Sequence, residues 1–239
     1  MRIEAEPAYV LHTRPYRETS QLVELFTFNH GRVRAVAKGS QRRKGGTPLS
    51  PFVQLNVAWG GRSDLKSLYS TETEGLPTTL KGEQLFTGFY LNELLLRTLP
   101  EQDAHSNVFY HYSRLLPQLA SGFDVQPQLR QFEMALLHSL GYELVLTTTA
   151  DSGEPVVPQQ HYFYDPQLGL QSDFDNRVAN PKQLFEGQHL LAISQSEYSQ
   201  PEIVKSAKRL LRLALAPHLG GKPLQSRELF RQSLQEVNQ

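Results

Sequence analysis

The chain has 239 residues, of which 39% are hydrophobic and 20% charged, a composition that supports one large or two modest globular domains and excludes a fibrous or disordered class. It contains no cysteine, which excludes disulfides, thiolate zinc sites and cysteine nucleophiles. The formal net charge of zero hides an asymmetry, because residues 1–80 carry 11 Lys/Arg against 7 Asp/Glu and the remainder carries the compensating acid.

The first 75 or so residues read as strands. Residues 8–12, 21–28 and 32–38 are short and rich in Val, Leu and Phe, and turn signals separate them at Arg14-Pro15, Asn29-His30-Gly31 and Gly39-Ser40. Residues 52–59 alternate, with Val53, Leu55, Val57 and Trp59 on one face, the period of a half-buried strand. Gly60-Gly61 turns the chain into a fifth strand at 64–71. Five short strands in so few residues predict a small closed barrel, because closure removes exposed sheet edges.

After Gly75-Leu76-Pro77 the period becomes helical. Helices are expected over 82–99, over 106–120 with Pro117 shortening or bending the last part, and over 127–140, where Pro127 opens and Gly141 follows the end. Residues 144–180 break the rhythm with turns at Ser152-Gly153-Glu154-Pro155 and Asp165-Pro166, and a short strand at His161-Tyr162-Phe163-Tyr164. This predicts an irregular, partly β insertion. A helix over 202–216 places Ile203, Ala207, Leu210, Leu211 and Ala214 on one stripe and Lys205, Lys208, Arg209 and Arg212 on the other. A last helix starts near Ser226. The expected fold class is α+β, with residues 1–80 as the barrel domain and 81–239 as a mostly helical domain carrying the insertion.

Signatures of enzymes are missing. No phosphate-loop, dinucleotide, zinc-protease or nucleophile-elbow motif occurs, and the eight histidines are scattered. The reading is therefore no catalytic residue, no metal and no cofactor. Glu4, Glu6, Pro7 and His12 interrupt the start where a secretory leader needs an apolar run, and no stretch reaches the roughly 18 apolar residues of a membrane span. A cytoplasmic protein is expected.

Basic residues concentrate in two blocks. Arg32, Arg34, Lys38, Arg42, Arg43, Lys44, Arg62 and Lys66 enclose a single acid, Asp64. Along residues 32–38 the odd positions Val33, Ala35 and Ala37 are apolar while Arg32, Arg34 and Lys38 fall on the other face, with same-face neighbours about 7 Å apart. This run continues into the polar, Gly-containing segment Gln41-Arg42-Arg43-Lys44-Gly45-Gly46. A basic strand beside a basic loop suits a phosphate backbone. A solubilising hairpin tip is the alternative for the same residues. Tyr9, Tyr16, Phe26, Phe28, Phe52 and Tyr69 are candidate stacking platforms, with core packing as the competing role.

Several stretches together resemble the RecO family of recombination mediators. They are the 8–20 run beginning Ala8-Tyr9-Val10-Leu11-His12-Thr13-Arg14-Pro15, Gly31-Arg32-Val33-Arg34-Ala35-Val36-Ala37-Lys38-Gly39, Leu129-Arg130-Gln131-Phe132-Glu133 with Leu140-Gly141-Tyr142, and Leu219-Gly220-Gly221-Lys222-Pro223-Leu224-Gln225-Ser226-Arg227-Glu228-Leu229-Phe230. The resemblance implies an N-terminal OB-fold, a helical C-terminal domain, and no nucleotide hydrolysis. It implies binding and annealing of single- and double-stranded DNA, and, with RecR and in many cases RecF, loading of RecA onto DNA coated by single-strand-binding protein (SSB). It also implies recognition of the acidic SSB C-terminal tail around the helix at 127–140. Arg130 is the expected carboxylate contact, with Leu129, Phe132 and Leu136 as its apolar surroundings. Many relatives carry a four-cysteine zinc site in the insertion, and this chain does not. A protein–protein adaptor that binds no DNA is the alternative function.

Overall fold

A computed structural model of the chain describes residues 2–40, 49–75, 78–173 and 183–237. It divides into two compact units, one formed by residues 1–123 with 222–239 and the other by residues 124–221.

The first unit is built on a closed barrel of five strands: β1 (Arg2–Tyr16), β2 (Ser20–Thr27), β3 (Gly31–Ala37), β4 (Gln54–Gly60) and β5 (Lys66–Thr73). Their order is β1-β2-β3-β5-β4, all neighbours antiparallel except β3 and β5, and β1 returns to pair with β4. This is OB-fold connectivity. The barrel interior is filled by the alternating apolar residues, including Ala8, Val10, Val23, Leu25, Val33, Ala35, Ala37, Leu55, Val57 and Trp59. The period-2 readings of the third and fourth strands are both realised in this core. The first strand is much longer than the apolar run 8–12 indicated, because its N-terminal half pairs with β4 and its C-terminal half with β2.

Gly31 shows why the β2–β3 turn is specified. Its φ is +62°, and a Cβ there would lie 1.6 Å from the Asp103 carbonyl oxygen. Glu6, buried in β1, fastens the same turn by accepting the Asn29 N–H at 2.6 Å and the Asn29 side-chain amide at 3.3 Å.

Helices α1 (Gly82–Thr98), α2 (Ser106–Ala120) and α6 (Gln225–Val237) complete this unit. Phe109 and Tyr112 of α2 pack on Tyr9 and Phe26, so the outer face of β1–β2 is buried as well as the inner one. The helix runs on through the exposed Pro117 to Ala120 and is not shortened.

The second unit contains α3 (Gln126–Ser139), a sheet in the order β7-β6-β8, and helices α4 (Gly187–Ser194) and α5 (Pro201–Leu215). Its strands are β6 (His161–Asp165), β7 (Gly169–Ser172) and β8 (Leu184–Glu186). The insertion is therefore partly β as expected, and Tyr162 is its buried anchor. The Tyr162 hydroxyl accepts the Val157 N–H at 2.7 Å and donates to Gln160 at 3.1 Å. The sequence pattern had marked β6 but neither β7, β8 nor α4.

The chain returns from residue 221 to clasp α6 against α1. Both carboxylate oxygens of Glu93 cap α6, accepting the N–H of Gln225 and of Ser226 at 2.9 Å each and the Ser226 hydroxyl at 2.7 Å. Arg97, paired with Glu93 at 2.6 Å, donates to the carbonyls of Lys222 and Pro223. Phe86 and Phe230 pack beside this cap, with ring centroids 5.5 Å apart. Burial alone would raise the Glu93 carboxyl, but the Ser226 and Gln225 N–H groups, the Ser226 hydroxyl and Arg97 together hold it below its ordinary range. A carboxyl depressed on folding stabilises above its unfolded pKa, and that contribution fades as the pH falls through the folded value. Glu93→Gln is expected to destabilise the first unit by about 1–3 kcal/mol at neutral pH. The wild-type advantage in thermal midpoint over this variant should shrink progressively below about pH 4; a constant difference down to acid pH would contradict the cap.

Candidate nucleic-acid interface

The strand β3 carries the expected two-faced pattern, but its outward cations are not left to solvent. Arg32 reaches Glu24 at 3.2 Å and Glu101 at 3.5 Å, and its Nε donates to the Leu99 carbonyl at 3.2 Å. Arg34 pairs with the same Glu101 at 2.9 Å. The backbone joins in, because the Gln102 N–H donates to the Arg32 carbonyl at 2.8 Å. Burial pushes the Glu24 carboxyl up, against the pull of Arg32 and Arg34. This four-residue knot fastens the segment between α1 and α2 onto the barrel, and it partly neutralises the face that sequence marked as the phosphate track.

Lys66 is buried, and its ammonium donates to the Ser63 carbonyl at 2.8 Å, which makes it a loop fastener. Lys38 and Arg62 are exposed. Arg42, Arg43 and Lys44 lie outside the described residues. Two exposed cations outside the basic blocks, Arg14 near the end of β1 and Arg17 in the β1–β2 turn, stand nearby in sequence, and Arg17 has φ +55° and lies over the Tyr16 ring. The Arg14-Pro15 pair, expected as a turn, instead lies within β1, where Arg14 pairs with Leu22 and Pro15 with Gln21, and the chain turns at residues 17–19. The strand directions bring Arg14, Arg17 and Lys38 to one end of the barrel.

Of the aromatic candidates, Tyr9, Phe26 and Phe52 are buried, Tyr16 is half-buried, and Phe28 and Tyr69 are 39% and 48% exposed. Burial drives the Tyr9 phenol up to about 12, with Glu74 adding to the effect, which suits a packing residue with a hydrogen-bonded tip.

In the second unit, α5 realises the amphipathic pattern. Ile203, Ala207, Leu210, Leu211 and Ala214 are buried, and Lys205, Lys208 and Arg212 are exposed. Arg209 differs from its neighbours on the stripe. It donates to the Leu184 carbonyl at 2.9 Å and lies 4.8 Å over the Phe185 ring, at the edge of a cavity of about 220 Å³ shared with His161, Glu186, His189 and Ser206. The Ser206 hydroxyl and His189 Nδ1 are 3.0 Å apart there. No group of three or more His, Asp or Glu among the described residues is placed to hold a metal ion, and none of their helices is long and apolar enough to cross a membrane.

The four residues expected to receive an acidic tail are interior. Arg130, Leu129, Phe132 and Leu136 are all buried on α3, and Arg130 pairs with Glu133 at 2.8 Å. Tyr198 packs against this pair. Its phenol rises to about 12 through burial, with Arg130 opposing the rise and Glu133 adding to it. A charge pair this deep is costly to break on one side. Arg130→Ala should lower the stability of the second unit by about 3–5 kcal/mol, and Arg130→Met with Glu133→Leu should recover most of that. Denaturant unfolding of the two variants checks this, and equal losses would show that the pair is not the source.

Comparison with known proteins follows the same lines. Residues 1–76 match the family described as Recombination protein O N terminal, and residues 81–228 match Recombination protein O C terminal. The chain is 48% identical to the DNA repair protein RecO of Pseudomonas aeruginosa strain UCBPP-PA14, covering 95% of this chain and 94% of that one. It is 44% identical to the DNA repair protein RecO of Serratia proteamaculans over 95% and 93% of the two chains. Identity to the corresponding protein of Cellvibrio japonicus is 43% over 96% and 98%.

Proposed function

The chain belongs to the RecO family of DNA repair proteins, and from that premise we propose that it is a non-enzymatic mediator that binds and anneals single- and double-stranded DNA. With RecR, and with RecF where it takes part, it helps load RecA onto SSB-coated single strands. The observation that carries the reading is the barrel. A closed five-strand barrel in OB order is an architecture used for oligonucleotides, and its β1–β2 end carries the exposed cations Arg14, Arg17 and Lys38. We take residues 1–80 as the nucleic-acid-binding part and 81–239 as the helical part. The working place is the cytoplasm, at the nucleoid during repair.

The mechanism is non-covalent. Cations neutralise phosphates and release counterions, which holds strands without reading their sequence. Two strands held this way repel each other less, which lowers the barrier to pairing. The exposed Lys205, Lys208 and Arg212 of α5 supply a second contact. For the SSB tail, α3 is the docking element of this reading, with Arg130 as the carboxylate contact. The closed knot around Arg32 and Arg34 favours a second reading, an adaptor whose basic surfaces meet acidic proteins and not DNA.

Fluorescence anisotropy of labelled single-stranded DNA across salt concentrations separates the two. Engagement of about five phosphates gives a log–log salt slope near about −3.5, from roughly −0.7 per phosphate. The variant Lys205→Ala/Lys208→Ala/Arg212→Ala should bind more weakly with a slope shallower by up to about 2. Arg42→Ala/Arg43→Ala/Lys44→Ala tests the basic segment in the same way. No binding at low salt, or binding with a slope near zero, would leave the adaptor.

A further inference from the structure

The pairing directions of the barrel place the C-terminal ends of β1, β3 and β5 and the N-terminal end of β4 together. A cavity of about 380 Å³ opens at this end, large enough for a small flat ligand. Its walls include Phe52 and Val53 just before β4, Thr73 at the end of β5, Thr78 and Thr79 ahead of α1, and Phe89 of α1. The surface is apolar in the main, with three threonine residues able to offer hydroxyls.

Phe52 is the unusual wall. Its φ is +70°, a left-handed conformation that a bulky residue adopts only at a cost. The ring is fixed from behind, because a Cβ at Gly88 would come within 2.8 Å of it, and the Phe89 ring centroid lies 5.6 Å away. A strained backbone and a glycine-tight helix contact thus hold two aromatic rings at the mouth of the barrel. Relaxing the Phe52 backbone would remove that wall.

We propose that this cavity receives one unstacked base of single-stranded DNA, with the wall formed by Phe52 and Phe89 against one of its faces and the threonine hydroxyls at its polar edge. The proposal rests on the DNA-binding reading above and adds a site to it. Charge selects the occupant. The exposed cations Arg14, Arg17 and Lys38 stand at the same end of the barrel and suit the phosphates on either side of an inserted base. Of the nearby acids, Glu72 is on the opposite strand face from Thr73, and Glu74 is engaged by the Gln54 amide at 3.0 Å. An apolar side chain of a partner protein would use the rings but neither the hydroxyls nor the cations.

The test compares a short oligothymidine with an abasic strand of equal length, binding to the full-length chain by anisotropy. Wild type should bind the base-bearing strand about tenfold more tightly or better, the scale of one stacked base. Thr79→Trp, which fills the exposed mouth, should lose that preference while keeping the salt slope. A photoreactive thymine in the same strand should cross-link wild type within the peptides that contain Phe52 or Phe89, a readout that needs no variant to fold. Equal, salt-sensitive binding of both strands, or cross-links confined to other peptides, overturns this site alone and leaves the cavity to a protein side chain. Absence of binding to either strand overturns the DNA-binding reading and this site with it.

Discussion

The first unit depends on one irregularity in β1. Val10 pairs with Leu25 and His12 with Glu24, so Leu11 is an extra residue in the ladder. A bulge of this kind leaves a strand residue outside regular pairing. The Asn92 amide of α1 donates to the Leu11 carbonyl at 2.9 Å, and the Tyr112 hydroxyl of α2 donates to Asn92 at 2.6 Å. Asn92 and Tyr112 are both buried, so each bond replaces water that neither group can reach. Val10 faces the barrel core, and Leu11 is buried as well. The bulge thereby joins barrel and helices through a polar link that has few alternative registers.

The distribution of charge follows from the same economy of burial. Glu6, Glu24, Glu93 and Glu101 each meet specific donors that fix a turn, a strand face or a helix end. Arginines placed against them become fasteners. Arg32 and Arg34 secure the α1–α2 connection, and Arg97 secures the return of the chain into α6. The cations on the β1–β2 turn, at the end of β3 and on the outer side of α5 are the more exposed ones. A phosphate at Arg32 or Arg34 would compete with the carboxylates already paired there, and that competition reduces its gain.

Much of this was legible in the sequence where a period reports burial directly. The barrel strands, α1, α2, α3 and α5 all appear as alternating or helical stripes. The length of β1 was hidden because Glu4, Glu6 and Pro7 precede the apolar run with polar and ring residues, yet Glu6 is buried by capping a turn 23 residues away. The helix α4 has only eight residues, too few to establish a stripe. Arg32 looked free because its partner Glu101 is remote in sequence. For Arg130 the information was present: Glu133 follows at the i,i+3 spacing of a helical ion pair, amid Leu129, Phe132 and Leu136. Apolar neighbours on both sides of an arginine can line a pocket or bury it, and the pattern is the same for both.

The stretch that most resembles the family, Leu219 to Phe230, has a structural explanation. Gly220 and Gly221 both have positive φ and let the chain leave the second unit. Lys222 and Pro223 offer carbonyls to Arg97, Leu224 is buried, and Gln225 and Ser226 present N–H groups to Glu93. The identifiable pattern is therefore a clasp between helices and contains little of the proposed interface. It specifies a fold because Lys222, Pro223, Gln225, Ser226 and Phe230 each meet a partner in α1. The exposed cations Arg14, Arg17, Lys38, Lys205, Lys208 and Arg212 all lie outside that stretch, so the pattern that identifies the family does not name them.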